Sequence, residues 1–442
     1  MTKNRRGLFH KRDSTRHFLF SKTDTKELKG KRVLPRESAW KALRQVFPQV
    51  LSGRRFIEHA MDRVKSTAGF GAMTIRMDNL PRKKEQFDKY QGFAKTLDAT
   101  CEKEDGLWGI IEPGMLDCFF PDKNAFQCLK LAQSLQKTIV RQTAETVSIG
   151  IAEYPTLDYK KKQVLDNTRK ALEHAAFFGP GSSVVFDAVS LNISGDRMYE
   201  NGHIKEAVEE FNRALSIDPS NVNVRNSLGV CYGVLGNYKK AAKEFKAALA
   251  LEAKESMALY NLGLINVLTG RRDAALELFL EADRISPDVF EIVYQTGKIY
   301  LERAELEHAG KYLEKAARIR PNAGAVHRYL GEFYAATGRS KDAARSYKKA
   351  IKQNPGDAAS LSALGCLFDE QGENPEIAIM FCRESVGISP ENGLYRLRLG
   401  RLYMKQNLFD KALEELKKAD DLGQDATVYI DIIKHQMKAK AS

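Results

Sequence analysis

The residues best placed to do chemistry lie in DGLWGIIEPGMLDCFFP, Asp105 to Pro121, two apolar runs around a Pro-Gly turn. A hairpin of this kind can hold divalent cations over a triphosphate when several carboxylates cluster at its turn. The turn here reads Glu112, Pro113, Gly114, Met115 and Leu116, with Asp117 just beyond. Gly114 has no side chain, Met115 no charge, and Pro113 no backbone donor. The preceding strand-like run, TIRMDNL, adds Arg76 and Asp78, and Lys83 and Lys84 follow it. Two unit charges about 4 Å apart interact by about 4 kcal/mol at an effective dielectric near 20, so Arg76 would repel a divalent ion by roughly twice that. No metal site is expected. Arg76, Lys83 and Lys84 would instead offer positive charge to a nucleotide, or form a plain basic surface loop. The six cysteines and eight histidines show no C-x-x-C, H-x-x-x-H or H-E-x-x-H spacing, which argues against a structural zinc site, and no cofactor is expected.

Elements that would carry this hairpin alternate between Arg36 and Asp187. Apolar periodicity gives helices near Glu37–Lys65, Lys84–Cys101, Ala125–Arg141 and Tyr159–Phe177. Strands are expected at Gly69–Met77, at both arms of the hairpin, at Glu145–Glu153 and at Ser182–Phe186. Interleaving of this kind implies a sheet with helices on its faces.

Three segments resemble the diguanylate cyclase family, known for its GGDEF signature: VSIGIAEYP at Val147 to Pro155, KALEHAAFFG at Lys170 to Gly179, and GMLDCFFP at Gly114 to Pro121. The resemblance covers roughly residues 50–187. It implies a nucleotidyl-cyclase-like α/β (α+β) domain whose signature positions fall on Glu112 to Leu116. The usual metal carboxylate on the first strand becomes Arg76, the guanine contacts become Lys84 and Glu85, and the phosphate-binding lysine becomes Ala176. The resemblance therefore implies a catalytically dead shell, a bacterial source and pairing into a homodimer.

The remainder of the chain is periodic. Gly195, Gly229, Gly263, Gly297, Gly331 and Gly365 recur every 34 residues, followed by Gly400 after one inserted residue near Asn374-Pro375. Twelve residues beyond them stand Ala207, Ala241, Ala275, Ala309, Ala343, Ala378 and Ala412. Bulky Phe211, Phe245, Phe279, Leu313, Tyr347 and Leu416 come next, and most units close on proline. Each unit reads as two amphipathic helices with small residues where they cross, and no unit can bury its own apolar face alone. The pattern resembles the tetratricopeptide repeat, in seven units over residues 188–423 with an end helix in 424–442. That resemblance implies an all-α superhelical solenoid with a concave groove for a peptide or helix. By repeat position the groove is lined by Asn226, Val230, Tyr260, Leu264, Tyr294, Lys298, Arg328, Glu332, Ser362 and Arg401. Asn261 is a trace of the family's carboxylate clamp, but its lysines are missing, so a chaperone-tail ligand is not expected.

The net charge of +13 sits mostly in the first 187 residues, which hold 34 Lys/Arg against 22 Asp/Glu. Residues 1–36 alone carry 12 basic and 3 acidic residues with Phe9, Phe18 and Phe20 interleaved. This arm is expected to be disordered and solvated, with contact to nucleic acid or anionic membrane as the lesser alternative. No apolar run approaches the roughly 20 residues of a membrane span and no secretory leader is evident, so the expected setting is cytoplasmic. The sequence thus points to a non-enzymatic adaptor that holds a protein partner in its repeat groove and takes part in signalling. The alternative is a pseudoenzyme that senses GTP or a cyclic dinucleotide in residues 37–187.

Overall fold

The computed structural model describes residues 47–78, 87–112 and 114–441, together with Phe18, Leu43 and Val46. Within the expected helix over 37–65, Leu43 and Val46 are helical and α1 spans Arg54–Arg63; between them Pro48 and Gly53 interrupt the run, and Gly53 takes a φ of 58° at the start of α1. Then come β1 (Phe70–Met77), α2 (Phe87–Lys103), β2 (Leu107–Gly109), β3 (Met115–Pro121), α3 (Ala125–Thr143), β4 (Val147–Tyr154), α4 (Val164–Ala175) and β5 (Ser183–Val185). The five strands form one sheet ordered β2-β3-β1-β4-β5, antiparallel except where β5 runs parallel to β4.

Strand alternation divides the core. Met73, Ile75 and Met77 of β1 join Leu116, Cys118 and Phe120 of β3 under α2 and α3. Phe70, Ala72 and Phe119 face the other way, toward Phe56 and Ala60 of α1 and Val164, Leu165 and Ala171 of α4. Gly150 explains how closely α4 lies on the sheet. A Cβ there would stand 1.9 Å from the Thr168 carbonyl oxygen and 2.3 Å from the Leu172 nitrogen.

Helical pairs follow: α5 (Ala188–Glu200) and α6 (Ile204–Ile217), then α7 (Val222–Val234) and α8 (Tyr238–Leu251), with α9 at Ser256–Leu268. Compact packing divides the chain at Ile265/Asn266, so the sheet and the first repeats fall in one unit. The apolar core beneath α1 and α4 continues without a break into Leu191, Ala207, Phe211, Ala214, Val224 and Leu228. Polar contacts reinforce that junction. Lys170 Nζ donates to the Glu210 carboxylate at 2.8 Å, and Arg197 pairs with Glu173. Asp187 caps α5 by accepting from Ser190 N at 2.8 Å. Burial pushes the Asp187 carboxyl up, but the bonds from His174 and Ser190 outweigh it and hold the group below its ordinary range.

The second unit contains α10 (Arg272–Ile285), α11 (Phe290–Glu302), α12 (Leu306–Ile319), α13 (Gly324–Ala336), α14 (Ser340–Gln353), α15 (Ala358–Glu370), α16 (Pro375–Ile388), α17 (Gly393–Lys405) and α18 (Phe409–Asp421). An end helix, α19 (Thr427–Ala441), buries Ala426, Ile430 and Ile433 against the last pair. In both units the periodic glycines receive the bulky residue of the following helix. A Cβ would meet Phe211 from Gly195, Phe245 from Gly229, Leu313 from Gly297, Tyr347 from Gly331 and Leu416 from Gly400, each within 3.0 Å. Gly365 instead meets Cys382, displaced by the one-residue insertion.

Two opposite stability changes follow within the second unit. Gly331→Ala is expected to lose about 1–3 kcal/mol by overpacking against Tyr347. Ala304 sits at a φ of 57° where other repeats place glycine, so Ala304→Gly is expected to gain about 0.5–1 kcal/mol. Denaturant unfolding of both variants checks the signs. Stability from Asp187 is present above the ordinary carboxyl pKa and is lost as pH falls through its lowered value. Asp187→Ala should therefore cost about 1 kcal/mol at pH 7 and progressively less below pH 4.

Candidate functional site

The hairpin forms where expected, and register places Arg76 directly opposite Met115 and Thr74 opposite Asp117. The position that would need two negative charges thus presents one cation facing a thioether. Asp78 is committed elsewhere: its carboxylate accepts from Ser148 Oγ and, at 2.7 Å, from Gly181 N, tying β1 to β4 and the loop before β5. Lys83, Lys84 and Pro113 lie outside the described residues.

Asp117 is fully buried on the α4 side, where Thr74 Oγ1 donates to it at 2.7 Å and Thr74 in turn meets Thr168 at 2.6 Å. Arg169 of α4, which sequence reading passed over, approaches both hairpin acids, 3.9 Å from Asp117 and 3.4 Å from Glu112. Asp117 Oδ2 and both amide atoms of Asn167 have no hydrogen-bond partner among the described residues. Burial pushes the Asp117 carboxyl up, and the Thr74 bond and Arg169 offset this only in part. A guanidinium thus occupies the place where cations would have to sit. Among the described residues no group of three or more His, Cys, Asp or Glu could hold a metal ion. The pair of divalent ions implied by the cyclase resemblance does not fit these residues.

The expected groove lining divides by burial. In the first unit Asn226, Val230, Tyr260 and Leu264 are buried. Asn261 Nδ2 donates to Asn226 Oδ1 at 2.9 Å, which covers the side chain from the next helix. The same geometry recurs in the second unit. Tyr329 packs edge-on over Tyr294 with ring centroids 5.7 Å apart, and Arg398 donates to Ser362 Oγ at 3.1 Å. A residue one place beyond the repeat equivalent therefore shields its predecessor. Ser362 is buried in this way and offers no contact to a partner. Counting at 34 residues does not reach these covering residues; a step of 35 does, from 226 to 261 and from 294 to 329, and a step of 36 from 362 to 398 across the inserted residue.

What the second unit leaves accessible is a mixed aromatic and charged cluster. Lys298 Nζ lies 5.7 Å from the Tyr294 ring centroid and 5.1 Å from that of Tyr329, while the Arg328 guanidinium lies 4.9 Å from Tyr329. Arg328 also approaches Asp357 at 3.5 Å. Burial raises the Glu332 carboxyl, and Arg328 and Lys298 only partly offset that. Arg401 is exposed, 5.4 Å from the Tyr429 ring of α19. Three cations (Lys298, Arg328 and Arg398) thus act on Glu332 together with a second carboxylate, Asp357. Among the described residues no helix is long and apolar enough to cross a membrane.

Paired helices, glycine contacts and the 34-residue period define a tetratricopeptide-repeat protein with a small α/β region at its N-terminal side. The chain belongs to the family described as Cilia and flagella-associated protein 70 C-terminal domain, which it matches over residues 187–429, more than half its length. No curated protein matches it. Solved structures with similar folds include YrrB, described as a TPR protein with an unusual peptide-binding site, at 19% identity over 42% of this chain and 96% of that one, TM-score 0.38. Pseudomonas aeruginosa pilF is 20% identical over 49% of this chain and 97% of its own, TM-score 0.45. The Cut9-Hcn1 hetero-tetramer structure is 13% identical over 69% of this chain and 52% of that one, TM-score 0.46.

Removing Arg169 should leave Asp117 as an uncompensated buried acid. Its folded pKa already lies above the unfolded value, so stability is lost as pH rises through the folded value. Arg169→Met is expected to lose about 1–3 kcal/mol at pH 7 and less at pH 4. Adding Asp117→Asn should remove that pH dependence, measured by urea unfolding at both pH values.

Proposed function

We propose that the protein is a non-catalytic adaptor that holds a segment of a partner protein on the inner side of its second unit. The tetratricopeptide-repeat fold supports a protein-interaction role. The single observation that carries the finer reading is the Tyr294–Lys298–Arg328–Tyr329 cluster, whose rings and cations stay accessible while neighbouring positions are buried. Tyr and Arg dominate binding energy at interfaces because each combines apolar area with directed polar contacts. The excess of cations favours an acidic segment, with aromatic or aliphatic side chains seated between the tyrosine rings.

The N-terminal α/β region acts in this reading as a degenerate cyclase-like shell that closes the exposed end of the repeat array. Its support is the placement of Arg76 against Met115 and the shared core with α5 and α6. That shared core also makes residues 188–442 a poor isolated bait, since cutting at 187 would expose Leu191, Phe211 and their neighbours. A cytoplasmic setting fits this function. The nucleotide-sensing alternative keeps only Arg76 among the described residues, and one cation opposite Met115 makes no phosphate cradle.

Capture from a lysate with the full chain, compared with a Tyr329→Ala, Arg328→Glu double variant, tests the proposal. The expected result is a partner that the double variant binds at least tenfold more weakly and that elutes as salt rises from 0.1 to 0.5 M. Equal retention by both chains contradicts it.

A further inference from the structure

The first unit's inner side is buried, and one contact there comes from far away in sequence. Phe18, from the basic N-terminal arm, is only 7% exposed. Its ring rests on Gly233 of α7, so that a Cβ at Gly233 would stand 2.5 Å from Phe18 Cζ. Asn226, Val230 and Gly233 are spaced by four and three residues and so form a single stripe along α7. That stripe is the one repeat position assigns to ligand contact. We infer that the inner face of the first repeats is a receptor for an aromatic side chain within a basic segment, and that its occupant is this chain's own Phe18.

Three observations support this occupant. Gly233 is the smallest residue that leaves a ring-sized space between turns of α7, and the ring that fills it is not from the repeats. The equivalent stripe of the adjacent helix α5 carries Asn192, Asp196 and Tyr199, of which Asp196 is acidic, and Ser227 of α7 donates to Asp196 at 3.4 Å. The arm around Phe18, KRDSTRHFLFSK, holds Lys11, Arg12, Arg16 and Lys22 against one acid, Asp13, so its charge is complementary. Tethering also favours occupancy in cis, because a segment on the same chain is present at an effective concentration on the order of millimolar. A partner carrying a similar basic-aromatic motif would have to displace the arm. This inference is independent of the acidic-segment reading of the second unit, and the two can fail separately.

The test uses the full chain and a fluorescent synthetic peptide of residues 11–25, KRDSTRHFLFSKTDT. The Phe18→Ala chain, whose arm no longer supplies the ring, is expected to bind the peptide at least tenfold more tightly than wild type. A peptide carrying Phe18→Ala should not bind it. Adding Gly233→Leu to the Phe18→Ala chain should abolish binding by filling the ring's place; circular dichroism confirms that both variants fold. Equal affinity of the wild-type and Phe18→Ala chains for the peptide overturns the proposal, as does retention of binding in the chain that also carries Gly233→Leu.

Discussion

Six helical pairs share one close approach: a glycine on the first helix meets a Phe, Leu or Tyr sixteen positions later on the second, or in one pair Cys382 seventeen positions later. Omitting the Cβ lets the helix backbones come near enough for the ring or branched chain to fill the space between them. Dispersion contacts at that distance are individually small, but they repeat in each unit and close-pack the interior. The same device seats α4 on the sheet at Gly150. It brings the Arg169 end of α4 over the hairpin, which decides what the hairpin can hold.

Two consequences follow for function. First, the sheet does not end as a separate domain, because its α1/α4 face and the first repeat share a core. A solenoid needs its exposed apolar end covered, and here a folded α/β region supplies the cover. Asp187, capping α5 and meeting His174, fixes the turn between them. Second, close stacking makes each inner-face residue partly shielded by the helix that follows. Asn261 over Asn226, Tyr329 over Tyr294 and Arg398 over Ser362 are three cases of one geometry. The available surface is therefore made by the covering residues as much as by the covered ones.

Much of this was legible in the sequence. The 34-residue period gave the helical pairs, the turn glycines and the bulky partners directly, and alternation gave the sheet strands. The scarcity of carboxylates at the hairpin turn was legible too. Arg169 was not, because it stands one residue outside the KALEHAAFFG segment and only the crossing at Gly150 brings it to Asp117. Burial of Val230 and Tyr260 was also hidden, since repeat position reports orientation and not what lies on top. Phe18 could be read as one aromatic in a charged arm, but nothing in its spacing names Gly233 as its seat. Long-range contacts without a period leave no local trace.

The central claim is that the protein acts by holding a partner on the inner helices of its second unit. Hydrogen exchange of the full chain with and without a saturating captured partner tests it directly. Protection concentrated in 290–302, 324–336 and 393–405 is the predicted result. Protection confined to the outer helices, 306–319 and 340–353, or to the sheet, would contradict it.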